Sequence, residues 1–347
     1  MQKRLEGFYR LFILPLLRHK VFKLVLLLAA LTVLFSFWSV SVGNNFFKIS
    51  TLKNIMNSLV VTSFLTIGAG CLLMSGNIDL SASAVGAFGS MVLALSLRQY
   101  QLPWWLSIIV ALLACAVFGV VNGVLINRFR FPAFIATLAM AFVARGMMFF
   151  VSSGGTDAAA VNVNFASDPI KYIGKGEPIP GVQLGVIIML VFFIAYGIVI
   201  NLTKYGLNIT LVGGNPRAAR LTGIKPDRTI LMLYINSAVL SGIAGTFTAA
   251  RVSQGNLNAL QTNQFTGLTA AILGGISFGG GSGGMGGAFV GLLILNTFQI
   301  GMTTIGVSTY WITVFTGVIL LLALSFDFFE QQQKNKAVMR GISVGGN

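Results

Sequence analysis

Apolar stretches of about 20 residues recur along this chain, and a helix of that length crosses the hydrocarbon core of a bilayer. Hydrophobic residues make up 55% of the 347 residues and charged residues only 9%, a balance outside the range of soluble domains. The alternating polar and apolar runs that a membrane β-barrel requires are absent from the sequence. We therefore expect one domain, residues 1–347, built as an all-α polytopic membrane protein.

The apolar stretches predict about ten membrane-spanning helices. The predicted spans are residues 21–38, 58–75, 80–97, 104–126, 132–151, 182–202, 229–250, 266–280, 286–304 and 309–326. The stretch 266–280 has the shortest apolar part, so we expect it either to cross the membrane or to be re-entrant.

Lysine and arginine residues predict the orientation of these spans. If the N-terminus is cytosolic and every span changes sides, 16 Lys and Arg residues fall on the cytosolic side and 6 on the outer side. Cytosolic loops carry such an excess of basic residues. Both termini are therefore expected in the cytosol, with the basic N-terminus 1–23, the loop 203–228 and the tail 327–347. The loop 152–181 is expected outside.

The basic loop 203–228 carries the signals of a short helix. Asn215 is a favourable N-cap, Pro216 suits the first helical position, and Gly223 stands where a left-handed residue ends a helix. The residues between them are Arg217, Ala218, Ala219, Arg220 and Leu221. A helix of six or seven residues is not stable alone in water. Either anionic lipid or a cytosolic partner protein is expected to hold it.

Two segments rich in small residues connect predicted spans. In the first, nine of the fourteen residues 274–287 are glycine, and a four-residue spacing joins Gly275, Gly279, Gly283 and Gly287. This spacing indicates either a flexible hairpin loop or close packing at a re-entrant turn or dimer seam. The second segment, 75–90, contains Asp79. Its carboxylate is either a functional group at bilayer depth or, with Ser81, caps the helix that begins near residue 80.

Four segments of the chain resemble a known family, in order and with suitable spacing. They are "SGNIDLSASAVGAFG" (75–89), "NGVLINRFRFPAFIATLAMAFVARG" (122–146), "TKYGLNITLVGGNPRAARLTGI" (203–224) and "AAILGGISFGGGSGGMGGAFVG" (270–291). Together they are similar to the membrane-spanning permease of bacterial ABC importers for monosaccharides, the group that contains the ribose, xylose and galactose systems. The resemblance covers about residues 60 to 330.

This resemblance implies a transport subunit, not an enzyme, in the bacterial plasma (inner) membrane. It implies that the helix at 214–223 is the coupling helix, which sits in a cleft of a separate ATP-hydrolysing subunit. The sequence has no G-x-x-x-x-G-K-[ST] motif, so ATP and Mg are expected on that subunit, with no cofactor or metal in this chain. The further expected partners are a second permease copy or close paralogue and a solute-binding protein, but no nucleic acid. The loop 152–181 either docks the binding protein or is simply solvated.

A sugar pathway needs side chains that hydrogen-bond hydroxyl groups. The candidates within or near spans are Asn122, Asn127, Asn236, Asn296 and Gln299. Amides in membrane helices also hold helices together, so each has this alternative role. Arg145, inside a predicted span, is either a structural anchor or a substrate contact.

Alternative functions remain open from the sequence. Permeases of the same superfamily for branched-chain amino acids or nucleosides are the nearest alternatives, and an ion-coupled secondary carrier is the alternative from another class. Such carriers generally need buried carboxylates or histidines, and the predicted spans offer Asp79 alone. A membrane-embedded enzyme would need a cluster of catalytic side chains that the spans lack.

Overall fold

The computed structural model describes residues 20–156, 158–263 and 265–344, which form thirteen α-helices. Most of the predicted basic N-terminus, residues 1–19, lies outside these ranges. The helices are α1 (Lys20–Ser41), α2 (Ile49–Met74), α3 (Ala82–Arg98), α4 (Trp104–Asn127), α5 (Ala133–Ser152), α6 (Asp168–Lys175), α7 (Leu184–Leu202), α8 (Lys204–Gly214), α9 (Pro216–Leu221), α10 (Pro226–Val252), α11 (Thr266–Leu273), α12 (Met285–Thr304) and α13 (Thr309–Val344).

Eight of these helices are long and apolar enough to cross a membrane, namely α1, α2, α4, α5, α7, α10, α12 and α13. The predicted class, an all-α polytopic membrane protein, is confirmed at this level. Helix α3, which corresponds to the predicted span 80–97, is apolar but has only 17 residues. Helix α13 continues well beyond residue 326, so much of the predicted tail is helical.

Residues 266–280 do not form one continuous helix, which corrects the predicted bounds of this span. Helix α11 has eight residues, Thr266–Leu273, which gives a length of about 12 Å. Glycines at 274 and 275 end it, because glycine loses more conformational freedom in a helix than any other residue. Almost all of α11 is buried, packed against α2, α12 and α13. Irregular backbone at membrane depth is tolerated where protein covers it in this way.

Helices α2 and α10 form the centre of the bundle. Helix α10 packs along α4, α3 and α2, whereas α1 and α13 lie at the periphery and are largely exposed. Glycines permit the closest crossings, since a Cβ on Gly245 of α10 would overlap the carbonyl oxygen of Gly86 in α3. Small residues at such crossings let membrane helices approach closely and gain dispersion contacts.

A two-stranded antiparallel pair closes one end of the bundle. Strand β1 (Val163–Asn164) pairs with β2 (Gln254–Gly255), which directly follows α10. The predicted outer loop 152–181 is therefore partly ordered, because it holds β1 and α6. We call this end the β end.

The opposite end gathers the ends of several helices around α9, and we call it the α9 end. The end of α2 meets the loop between α11 and α12, where Gly281 N–H donates to Met74 O at 2.9 Å. The end of α4 meets the start of α10, where Asn127 Nδ2 donates to Asp227 O at 2.8 Å. Since β2 lies at the β end and Gly281 at the α9 end, the chain still passes through the bundle between them, by way of the short helix α11.

Candidate functional site

Helix α9 begins as the sequence predicts. The side-chain oxygen Oδ1 of Asn215 accepts hydrogen bonds from the N–H groups of Arg217, at 3.0 Å, and Ala218, at 3.1 Å. These bonds satisfy two of the donors that a helix start leaves without a partner. Pro216 occupies the first position of the helix, where its missing N–H costs nothing.

The end of α9 also matches the prediction. Gly223 has φ +84°, the left-handed conformation that glycine adopts without strain. Its N–H donates to Arg220 O at 3.1 Å, and the N–H of Ile224 donates to Ala219 O at 3.2 Å. This pair of bonds is a Schellman motif, which satisfies the last carbonyl groups of a helix. Local chemistry thus defines both ends of a six-residue helix.

Charged side chains fix α9 to the helices beside it. Arg220 Nη2 lies 2.9 Å from Asp227 Oδ2, and Arg130 Nη1 lies 3.3 Å from Asp227 Oδ1. Both pairs are exposed, so each contributes about 0–1 kcal/mol to stability. The two ion pairs share one carboxylate, that of Asp227 in the first turn of α10. They therefore hold α9 and the α4–α5 loop close to the start of α10.

The outward face of α9 has a distinctive composition. Leu221 is 91% exposed, and Arg217 and Ala218 are also exposed, whereas Ala219 is buried against the bundle. These three exposed side chains are free to contact another molecule. The stem that carries α9 is α8, where burial raises the pKa of Tyr205 to about 12.

Asp79 is fully engaged within the protein. Its Oδ1 accepts hydrogen bonds from the N–H and the hydroxyl of Ser81, at 2.8 and 2.6 Å, and its Oδ2 accepts one from the Ser237 hydroxyl at 2.7 Å. Helix α3 begins at Ala82, so Asp79 binds the N-cap residue rather than the first turn. The predicted cap does not form, because the N-cap residue Ser81 makes no side-chain hydrogen bond to the first turn of α3. The carboxylate instead holds the α2–α3 connection against α10.

The predicted pathway residues do not converge on one place. Asn122 Nδ2 donates to Ser81 Oγ at 2.9 Å, and no described residue donates to its buried Oδ1. Three further contacts are Tyr196 Oη to Asn236 Oδ1, Ser58 Oγ to Asn296 Oδ1 at 2.9 Å, and Arg145 Nη1 to Leu257 O at 3.2 Å. Together with Asn127, which ends α4 and donates to the start of α10, these side chains join neighbouring elements in separate regions.

Gln299 is the exception, because it lines a cavity of about 480 Å³ between α11, α12 and α13, with a mostly apolar wall that carries several polar groups. Six threonines and two amides contribute to the described lining: Asn263, Thr266, Thr269, Gln299, Thr303, Thr309, Thr313 and Thr316. Apolar side chains such as Phe265 and Leu320 complete the wall, and no charged side chain is among the described lining residues.

The threonine hydroxyls are oriented by their own helices. Those of Thr303, Thr313 and Thr316 each donate to the carbonyl four residues earlier, at 2.8–3.0 Å. A hydroxyl that donates in this way keeps oxygen lone pairs available as acceptors. The cavity therefore offers hydrogen-bond acceptors from the hydroxyl groups, amide groups from Asn263 and Gln299, and apolar surface. This combination suits a neutral molecule rich in hydroxyl groups. These threonines were not among the predicted pathway residues, although the spacing of Thr309, Thr313 and Thr316 places them on one helix face.

The glycine segment shows close packing rather than an open hairpin. A Cβ on Gly287 of α12 would overlap the carbonyl oxygen of Gly274, so the two arms of the α11–α12 hairpin touch through their backbones. Gly275 and Gly283 have φ +87° and +140°, and Gly279 lies against Gln331 of α13. This geometry supports the close-packing alternative.

Comparisons with known proteins agree with this architecture. Residues 51–324 match the family described as "Branched-chain amino acid transport system / permease component". The chain is 32% identical to the ribose import permease protein of Escherichia coli K12 over 88% of this chain and 93% of that protein. It is 31% identical to the L-arabinose ABC transporter permease protein of Azospirillum brasilense (87% and 86% covered), and 27% identical to the fructose import permease protein of Rhizobium meliloti (84% and 81%). No solved structure matches the chain.

The chain therefore belongs to this family of ABC-importer permease components. It is a multi-pass protein of the bacterial inner membrane, and its family members are transport subunits. Among the described residues, no group of three or more His, Cys, Asp or Glu side chains is placed to hold a metal ion.

Proposed function

We propose that this chain is the transmembrane permease of an ATP-driven importer for a monosaccharide or a related polyol. The observation that carries the substrate class is the threonine-lined cavity between α11, α12 and α13. Ribose, fructose and L-arabinose, which the relatives are named for, differ in ring and carbon number but share neutral, closely spaced hydroxyl groups. A lining of hydroxyls and amides fits that shared chemistry.

A branched-chain amino acid is the alternative that the family description suggests. Such a substrate is a zwitterion, and a site that excludes water must compensate its ammonium and carboxylate groups with opposite charges or several hydrogen bonds. The described cavity lining offers amides and hydroxyls but no charge, which favours the neutral substrate.

Helix α9 is proposed to dock into a separate ATPase subunit, which binds ATP and Mg. The docking face is Leu221 and Ala218 with Arg217 beside them, and the α9 end of the bundle is then the cytosolic end. The excess of Lys and Arg residues in the segments assigned to the cytosol supports this orientation. The β end, with α6 and the loop 152–181, then faces outward and is available to a solute-binding protein.

Two permease copies, or this chain with a close paralogue, are proposed to enclose the pathway between them. Closure of two ATPase subunits would displace both α9 helices and so open the cavity alternately towards each side. Asn122, Asn127, Asn236, Asn296 and Arg145 serve as structural residues in this mechanism, whereas Gln299 contacts the substrate.

The deciding experiment is purification of the tagged, full-length permease from its native membrane after mild cross-linking, with mass spectrometry of bound proteins. It is paired with uptake assays for labelled ribose, L-arabinose, fructose, leucine and uridine. We expect an ATPase subunit and a solute-binding protein in the complex, and ATP-dependent uptake of a sugar. Uptake of leucine or uridine without any sugar would contradict the substrate class, and a lone permease that transports would contradict the coupling role.

A further inference from the structure

Three segments far apart in the chain touch through their backbones directly behind α9. Gly213 lies in the last turn of α8, two residues before the N-cap of α9. A Cβ on Gly213 would overlap the carbonyl oxygen of Met74 and lie 2.7 Å from the nitrogen of Gly281. That nitrogen donates its hydrogen to Met74 O at 2.9 Å. The stem of α9 is thus in contact with the end of α2, directly before the segment 75–90, and with the glycine segment 274–287.

Glycine is required on all sides of this contact. A Cβ on Gly280 would lie 2.8 Å from both Gly213 O and Gly76 N, and Gly76 and Gly280 themselves have φ +74° and +84°. We call Gly76, Gly213, Gly280 and Gly281 the glycine junction. Backbone atoms in contact have no flexible side chain between them that can absorb a shift. A displacement of α8 is therefore passed on to the other two segments.

The last spanning helix holds the same loop from the other side. Asp327 Oδ2 accepts a hydrogen bond from the backbone N–H of Phe278 at 3.0 Å. Gln331 Nε2 donates both to Asp327 Oδ2, at 2.7 Å, and to Ser277 Oγ, at 2.8 Å. Hydrogen bonds to an ionised carboxylate are about twice as strong as neutral ones. The loop 277–281 is therefore fixed to α13 as well as to α8.

Helix α13 also carries part of the cavity wall. Thr309, Thr313 and Thr316 lie on the same continuous helix as Asp327, and about 16 Å of helix separates Thr316 from Asp327. A continuous helix connects the two positions along its axis. Contiguous contacts therefore lead from α9 through the glycine junction and the loop 277–281 to Asp327, and along α13 to the cavity.

We propose that the glycine junction and Asp327 transmit the displacement of α9 to α13 and thereby open or close the threonine-lined cavity. Gly213 and Asp327 are positioning residues in this mechanism, since neither lines the cavity. The inference rests on the proposed function only in taking α9 as the element on which an ATPase acts.

The main test uses the full complex with its co-purified ATPase and a Thr313→Cys reporter in the cavity. The native thiols of Cys71 and Cys115 are buried, so a membrane-impermeant maleimide reports on the introduced cysteine. We expect ATP to change the labelling rate several-fold. Adding Gly213→Ala should abolish this change while the ATPase still co-purifies and hydrolyses ATP. Gly214→Ala is the matched control, because its nearest neighbour, Gly281 Cα, is 4.0 Å away.

The change at Asp327 separates a transmitting role from a merely structural one. Asp327→Asn keeps an acceptor for the Phe278 N–H and should retain part of the ATP-dependent labelling change, whereas Asp327→Ala should lose it. The inference is overturned if Gly213→Ala responds to ATP like the reporter alone, or if Gly214→Ala is as defective as Gly213→Ala. If Gly213→Ala does not fold, Asp327→Ala with an unchanged response overturns it.

A second measurement needs neither ATPase nor sugar, so it stands even if the proposed function fails. The melting temperatures of the purified permease are compared for Gly213→Ala, Asp327→Ala and the double variant. Residues in one contact network show non-additive effects, whereas distant independent residues do not. We expect the double variant to lose less than the sum of the two single losses. Additive losses would show that the two sites are independent and would overturn the inference.

Discussion

Arg220 Nη2 lies 2.9 Å from Asp227 Oδ2, so the end of α9 is ion-paired with the first turn of α10. The pair is half exposed on both sides, which limits its contribution to stability. Asp227 also lies 3.3 Å from Arg130, in the loop between α4 and α5. The carboxylate of Asp227 thus links α9 to α10 and to the loop that joins α4 and α5.

Breaking this ion pair should reduce the coupling of ATP hydrolysis to sugar uptake more than it reduces the stability of the permease. For Asp227→Asn we expect a loss of about 1 kcal/mol or less in unfolding free energy, because the pair is solvent-exposed. The ratio of sugar taken up to ATP hydrolysed should fall, since α9 is no longer fixed to α10. Thermal unfolding of the purified permease and paired uptake and ATPase assays measure the two effects.

Removing the N-cap of α9 should weaken ATPase binding. Asn215→Ala leaves the N–H groups of Arg217 and Ala218 without their acceptor, at a typical cost of about 1 kcal/mol to the helix. A six-residue helix is not stable without its caps and contacts. We therefore expect α9 to fray and less ATPase to co-purify with the permease. Asn215→Asp and Asn215→Ser are the controls, because both side chains cap helices. Equal ATPase recovery from the alanine variant would show that the cap is dispensable.

The exposed leucine of α9 offers the cleanest separation of folding from docking. Leu221 is 91% exposed, so Leu221→Asp should leave the melting temperature of the permease nearly unchanged. Co-purification of the ATPase should be lost, because a charge would replace the apolar contact. Leu221→Met, which keeps an apolar side chain of similar volume, should retain binding. Normal assembly and uptake in the aspartate variant would refute the docking assignment.

Hydroxyl deletions in the cavity should impair sugar uptake without affecting assembly. Thr313→Val is nearly isosteric and removes one acceptor, and the loss of one hydrogen bond of about 1.4 kcal/mol corresponds to about tenfold in binding. Gln299→Ala should have a similar effect. Thr248→Val is the matched control, since Thr248 lies in α10, donates to Ala244 O and does not line the cavity. Initial uptake rates over a range of sugar concentrations measure the effect.

Asp79 distinguishes the importer from an ion-coupled carrier. Its three accepted hydrogen bonds indicate that Asp79→Ala destabilises the protein by about 1–3 kcal/mol, measured by thermal unfolding in detergent. Uptake in wild-type cells should depend on ATP and not on a proton or sodium gradient. If ionophores abolish uptake while ATP persists, and Asp79→Asn removes that sensitivity, the carrier alternative is correct.

Local sequence was enough to predict the ends of α9. The cap at Asn215 and the stop at Gly223 depend on residues within a few positions of each other, so their chemistry is visible in the sequence. The long apolar runs were equally informative, because a bilayer requires about 20 apolar residues in each helical span. The short apolar part of 266–280 indicated that this stretch differs from the other spans, but not that only eight of its residues would be helical.

The tertiary structure decided what surrounds these elements. Met74, Gly213 and Gly281 are each separated by more than 60 residues in the chain, and no periodicity links them. The cavity likewise takes its polar groups from three helices, and a threonine in an apolar run has the same local pattern whether it faces lipid, a helix or a cavity. Sequence determined most of the long membrane helices and where α9 begins and ends, because those preferences are local. Which backbones touch and which hydroxyls converge depends on how the helices pack, and that is a property of the whole fold.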